Sequence, residues 1–183
     1  MKYKLRLLGL ASLLLLTACG EDSSGSSVTV PAIPPAAATP VNVSLAANGS
    51  SVAATYGGAM ASFVNDGDNT TTTNFWSGNI ADDAVTIDFG LSRTVTEISV
   101  YTSDTSFNSG SPTKYIEISA DNSTWKKTAQ IVGGDVSCST FSSGSGKIRC
   151  VFSTPQSIRY YRVRVVGAAP ASQQIVEMEA LGS

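Results

Sequence analysis

From Val85 to the C-terminus, apolar residues alternate with polar ones or gather in short runs. The runs are Val85-Thr86-Ile87-Asp88-Phe89, Val95 to Tyr101, Tyr115 to Ile118, Ile148 to Phe152, Tyr161 to Val165 and Ile175 to Glu179. Each is rich in β-branched or aromatic residues and is bounded by Gly, Ser, Asn, Asp or Pro, which predicts strands. No window after residue 41 sustains the i, i+3, i+4, i+7 pattern of an amphipathic helix, so long helices are not expected. Many short strands in about 140 residues predict an all-β domain, a β-sandwich or barrel over residues 42–183.

The N-terminus has a different pattern. A basic stretch with Lys2, Lys4 and Arg6 precedes an apolar run from Leu7 to Leu16, and then Thr17, Ala18 and Cys19 follow. This order is that of an export signal, and the run is shorter than the roughly 20 residues a membrane-spanning helix needs. Leu16-Thr17-Ala18-Cys19 resembles the lipobox of bacterial lipoproteins. That resemblance implies cleavage after residue 18, lipidation of Cys19 and attachment to a membrane surface without spanning it. By resemblance to enterobacterial lipoproteins, Gly20 in place of Asp favours the outer membrane. Residues 19–41 mix Ser and Gly with Pro31, Pro34, Pro35 and Pro40, and predict a flexible tether with no periodic apolar face.

Charge and cysteine usage narrow the picture. Removing Lys2, Lys4 and Arg6 from the twelve Lys and Arg leaves nine against fourteen Asp and Glu, a net charge of minus five on the mature chain. A nucleic-acid partner is not expected. Arg159, Arg162 and Arg164 lie on an alternating segment and read as strand-face charges. Cys138 and Cys150 form an even pair in an oxidising compartment, and a disulfide closing the Ser/Gly-rich loop between them would contribute about 3 kcal/mol.

Six segments in order carry a further resemblance. They are Asn42 to Ala47; Phe63 to Asp68 with Thr73, Trp76 and Ser77; Val85 to Gly90; Ser119 to Trp125; Arg159 to Val163; and Glu177-Met178-Glu179. Together they resemble discoidin domains, the coagulation factor V/VIII type C family, with the galactose-binding-like carbohydrate modules and fucose-binding lectins. The resemblance implies an antiparallel jelly-roll β-sandwich whose termini meet at one end and whose ligand loops lie at the other. It also implies a structural calcium ion. Asp66 and Glu177 would supply carboxylates, Phe63, Asp68 and Val176 carbonyls, and Thr73 or Ser77 a hydroxyl, in keeping with the all-oxygen shell of calcium. The alternative is a turn closed by Asx hydrogen bonds with no ion.

By the family layout, the loops that would hold a glycan carry Tyr56, Trp76, Asn79, Phe107 and Asn108, aromatic faces and amides of the kind that grip sugar rings. Trp76 and Phe107 also read as packing residues, and for Trp76 packing is the preferred role. The family's galactose and fucose sites use histidine with arginine, whereas this chain has no histidine and no arginine between Arg93 and Arg149. Without histidine, a Ser-His or Cys-His nucleophile is unavailable, and the adjacent Asp82 and Asp83 cannot converge on one substrate atom, so catalysis is not expected. Asp66-x-Asp68-x-Thr70 matches a phosphatase pattern by chance, outside the α/β context that pattern requires. The expected function is a membrane-anchored, non-catalytic binding module for a glycan or other cell-envelope polymer. The alternative is an assembly lipoprotein that docks a protein partner. An exposed aromatic beside polar groups at the loop end would mark the first, and a contiguous apolar patch on a sheet face the second.

Overall fold

The computed structural model describes residues 39–104, 107, 113–131, 138, 140–144, 146–167 and 173–183, all within the unit Ala37–Ser183. The signal segment, Cys19, the tether to residue 38 and Asn108 lie outside the described residues. In chain order the strands are β1 Val41–Asn42, β2 Ser51–Ala54, β3 Trp76–Gly78, β4 Ala84–Tyr101 and β5 Thr113–Ser119. They continue with β6 Lys126–Gln130, β7 Thr140–Gly144, β8 Lys147–Val166, β9 Gln173–Ile175 and β10 Glu177–Gly182. The helical segments among the described residues are 3-10 stretches at Ala46–Asn48 and Gly58–Asn65.

β4 and β8 form the spine. They pair antiparallel from Ala84 opposite Arg164 to Tyr101 opposite Lys147, with a break in register between Asp88 and Arg93. Residues 90–92 of β4 and 153–155 of β8 are exposed, whereas burial on either side follows the period of two that a half-buried strand requires. Both strands therefore bend at the same level and belong to two layers. The first half of β4 carries β2, and the second half of β8 carries β5 and then β6. The second half of β4 carries β10 and β1, and the first half of β8 carries β7. A small separate sheet joins β3 to β9. The result is an antiparallel β-sandwich in which two runs expected as separate strands, Val85 to Phe89 and Val95 to Tyr101, are one bent strand.

The core draws on both layers. Val85, Ile87 and Phe89 meet Ile98, Val100, Tyr161, Val163 and Met178 in one buried cluster. Each such side chain contributes about 1.5–3 kcal/mol on burial. Phe89 and Tyr161 stack with centroids 5.5 Å apart. The buried Tyr161 hydroxyl is satisfied by Ser44 Oγ at 2.6 Å, and burial holds it well above the usual phenol range. Tyr115 and Tyr160 are half-buried, as their strand positions imply.

Cys138 and Cys150 are joined as a disulfide with their Cα atoms 5.3 Å apart. The segment between them was expected as a loop. Its Thr140–Gly144 portion instead pairs with Lys147–Val151 as the hairpin of β7 and β8.

Candidate functional site

Both ends of β4 return to the same end of the sandwich. Trp76 and Ser77 of β3 pair with Ile175 and Gln174 of β9, and the Gln174 carbonyl accepts the Thr102 hydroxyl at 2.5 Å just beyond β4. Asp83, fully buried, fixes the loop between β3 and β4. Its Oδ2 accepts the Asn79 N–H at 3.0 Å, its Oδ1 accepts the Ala84 N–H at 3.0 Å, and the Thr55 hydroxyl donates to Oδ1 as well. Gly78 is needed here, because a Cβ would lie 2.7 Å from Trp76 Cη2 and 3.0 Å from Asp83 Oδ2. Gly57 sits at φ 65° against the Ser77 carbonyl, a conformation that glycine adopts without strain.

On this frame Tyr56 is 43% exposed, and Asn79 and Ile80 are exposed on the neighbouring loop. The Trp76 indole N–H donates to the Tyr56 carbonyl at 2.7 Å and holds the two loops together. Two candidate ligand residues need correction. Trp76 and Phe107 are each 0% exposed and belong to the core, so neither ring offers a face to a ligand. Trp76 is sealed because β3 is paired along its length with β9, and Phe107 lies beneath Lys114, whose Nζ is 5.3 Å from the ring centroid. Tyr56 and Asn79 are the remaining described members of the set.

The acidic segment 66–68 meets the start of β10. Gly67 N–H donates to Glu177 Oε2 at 3.3 Å, whereas Glu177 Oε1 is buried with no hydrogen-bond partner. Burial pushes the Glu177 carboxyl up to about 8, with Asp66 and Glu179 adding to the rise. A buried carboxylate oxygen left without a donor, close to a second carboxylate, is what a bound cation would satisfy, so these residues fit a calcium ion. Among the described residues no group of three or more His, Cys, Asp or Glu forms a metal cluster, and carbonyl and hydroxyl oxygens would have to complete the shell.

Asp68 uses its side chain for the loop itself. Its Oδ1 accepts the Thr70 and Thr71 N–H groups, each at 3.0 Å, and the Thr70 hydroxyl at 2.8 Å. Hydrogen bonds from Thr71 and Thr70 hold its carboxyl far below the usual range. Thr73 is exposed, Ser77 is half-buried on β3, and neither hydroxyl is bonded to Asp66 or Glu177.

Several residues that matter at this end gave no clear signal in the sequence. Asp83 is one, and a half-buried chain is another, in which Lys147 donates to the Tyr101 hydroxyl at 2.7 Å and that hydroxyl donates to Glu179 Oε2 at 2.8 Å. Asn69 donates to the other Glu179 oxygen at 3.2 Å and ties the acidic loop to β10. Asp82 turns outward to Arg164 at 3.2 Å while Asp83 turns inward, so the two carboxylates face different partners. Arg159 and Arg162 pair with Asp88 at 2.8 Å and Glu117 at 2.6 Å, which leaves the three arginines engaged within the sheet face.

Solved structures share this fold at low sequence identity. The family 32 carbohydrate-binding module of NanJ from C. perfringens, solved with galactose, is 16% identical, covers 78% of this chain and 98% of its own, and superposes with a TM-score of 0.54. Chitosan-binding module 1 from a chitosanase/glucanase of Paenibacillus sp. IK-5 is 18% identical over 76% of this chain and 98% of its own, with a TM-score of 0.55. The lectin domain of lectinolysin, complexed with Lewis B antigen, is 15% identical over 78% of this chain and 97% of its own, with a TM-score of 0.58. No curated protein matches the chain in sequence. Residues 46–178, most of the sandwich described above, match the F5/8 type C domain, and the chain belongs to that family.

Proposed function

We propose that this protein is a non-catalytic carbohydrate-binding module, held at a membrane surface by lipidated Cys19, and that it grips a glycan at the loop end with the Tyr56 ring and the Asn79 amide. The observation that carries this reading is the exposed Tyr56 ring beside an exposed amide on a loop frame locked by Asp83, Trp76 and Gly78. A rigidly held aromatic next to a few polar groups is the usual means of binding a sugar ring. The galactose-bound and chitosan-binding modules of the same fold support the substrate class. The absence of histidine from the chain separates this site from the family's usual galactose and fucose arrangements.

The exposed large apolar residues among those described also favour a glycan over a protein partner. Val41 lies on β1, Leu91 at the bend of β4, Met60 in the 3-10 stretch Gly58–Asn65, and Tyr56 and Ile80 in loops, so they do not form a contiguous patch on a sheet face. A calcium ion between Asp66 and Glu177 would neutralise the buried carboxylate and pin the acidic loop to β10. Its role is structural, since Asp66 and Glu177 are the two carboxylates that would hold it. The signal-like N-terminus and Gly20 favour an outer-membrane location for the anchored domain in a host that has an outer membrane.

A glycan-array screen of the full chain, run with calcium and again with a chelator, tests the reading. Reproducible binding to one sugar class supports it. Silence on the array together with capture of an envelope protein would replace it with the docking scaffold.

A further inference from the structure

The end of the sandwich opposite Tyr56 carries a separate cavity. It opens beside the turn between β5 and β6 and is lined by Ile118, Thr124, Trp125, Lys126, Gln156 and Ser157, among others, with a volume of about 320 Å³. Its position relative to the chain ends is fixed by Thr94, which pairs with Ser157 on one side and exchanges backbone hydrogen bonds with Ser183 on the other. Pockets that hold small ligands span roughly 300–1,000 Å³, so this one is sized for a sugar unit and not for a long stretch of polymer.

Trp125 is half-buried at the cavity. The Arg162 guanidinium lies 3.9 Å from its ring centroid, and Arg162 is itself fixed by Glu117 at 2.6 Å. Trp125 lines the cavity and Arg162 does not. The turn that presents the ring is held from within. Asp121 Oδ1 accepts the Ser123 and Thr124 N–H groups at 2.9 Å and 2.8 Å and the Ser119 hydroxyl at 3.0 Å. A pre-ordered aromatic that shares the cavity lining with Ile118 and Ile158, an amide and hydroxyls loses little freedom when a ligand arrives. The lining charges, Asp121 and Lys126, balance, so the pocket has no net preference for an ionic ligand.

We propose that this cavity is a second saccharide site, which takes one neutral hexopyranose unit of a polysaccharide on the Trp125 indole, with Gln156 and Ser157 meeting its hydroxyls. The site stands on different residues from the loop-end site and at the opposite end, and two sites on one module would let it bridge or track a long chain.

The test is affinity electrophoresis of the full chain in gels containing galactomannan or hydroxyethylcellulose, both neutral, and in gels containing alginate. Trp125→Ala, Gln156→Ala and Tyr56→Ala are run beside the unaltered protein. Gln156 is partly exposed, and its variant is expected to melt at the unaltered temperature, which guards against loss of folding in Trp125→Ala. The expected result is that Trp125→Ala and Gln156→Ala each weaken retention on a neutral polymer, about tenfold for the tryptophan, and do so in the Tyr56→Ala background as well. Retention that Tyr56→Ala abolishes and the other two leave unchanged would overturn the second site and keep the loop-end site. Loss with Trp125→Ala and Gln156→Ala, but none with Tyr56→Ala, would keep the second site and remove the loop-end reading. Retention on alginate alone, or on no neutral polymer, would overturn the proposal.

Discussion

Glu177 combines full burial with a carboxylate oxygen that no donor satisfies, and its carboxyl is pushed up to about 8. In the unfolded chain the same group ionises in the ordinary glutamate range, near 4.5. Between those values the folded state holds a proton that the unfolded state has released, so the contribution of Glu177 to stability is fully present below about 4.5 and is lost as pH rises toward 8. In chelator, the melting temperature is expected to fall as pH is raised from about 5 to about 8. Calcium should flatten that slope, because a bound cation favours the ionised carboxylate, and Glu177→Gln should flatten it without calcium. A pH slope unchanged by either would remove the ion from the account.

Trp76 shows where residue-level reading runs out. The sequence places Trp76 and Tyr56 alike in polar loops, and both types are candidates for stacking on a sugar. Which of them faces water is decided by β9, about a hundred residues later, whose pairing with β3 seals Trp76. Trp76→Ala is therefore expected to cost about 3–5 kcal/mol of stability, measurable by urea denaturation, and not simply to remove a binding contact.

At the scale of elements, the period-two pattern made the two halves of β4 and of β8 legible, together with β5 and β10. It did not show that the halves are continuous, because the bend is spelled only by exposed residues such as Gly90, Leu91 and Ser92. β6, Lys126–Gln130, and β7, Thr140–Gly144, are too polar to read as strands alone, and they exist because the neighbouring strands supply hydrogen-bonding partners. Glu117 was unremarkable in sequence. In the structure its side chain is 3% exposed and holds Arg162, 19% exposed, across β5 and β8. Glu117→Ala should cost about 3 kcal/mol by leaving a largely buried guanidinium unpaired. The double change to Glu117→Leu with Arg162→Met should cost less, a difference that thermal melts of the two variants would resolve. Equal costs would mean that the pair contributes packing alone.

For the whole molecule, the order of six short segments was enough to indicate the sandwich and its family, because those segments sit at turns and strand ends whose spacing the topology dictates. The candidate site was legible in part. Tyr56, Asn79 and Asp66 lie in loops and Glu177 opens β10, whereas the supporting shell of Thr55, Asp83 and Asn69 depends on contacts between distant strands. The proposed attachment to the membrane rests on Cys19, so Cys19→Ala is expected to shift the protein from the membrane to the soluble fraction on cell fractionation. An unchanged distribution would sink the anchor.

The most direct test of the central claim is a comparison of Tyr56→Ala with the unaltered protein on a glycan array in calcium. The account predicts that the unaltered chain binds one sugar class and that the substitution weakens binding to it by about an order of magnitude while leaving the melting temperature unchanged. Equal binding by the two proteins would contradict it and place glycan recognition away from the loop end.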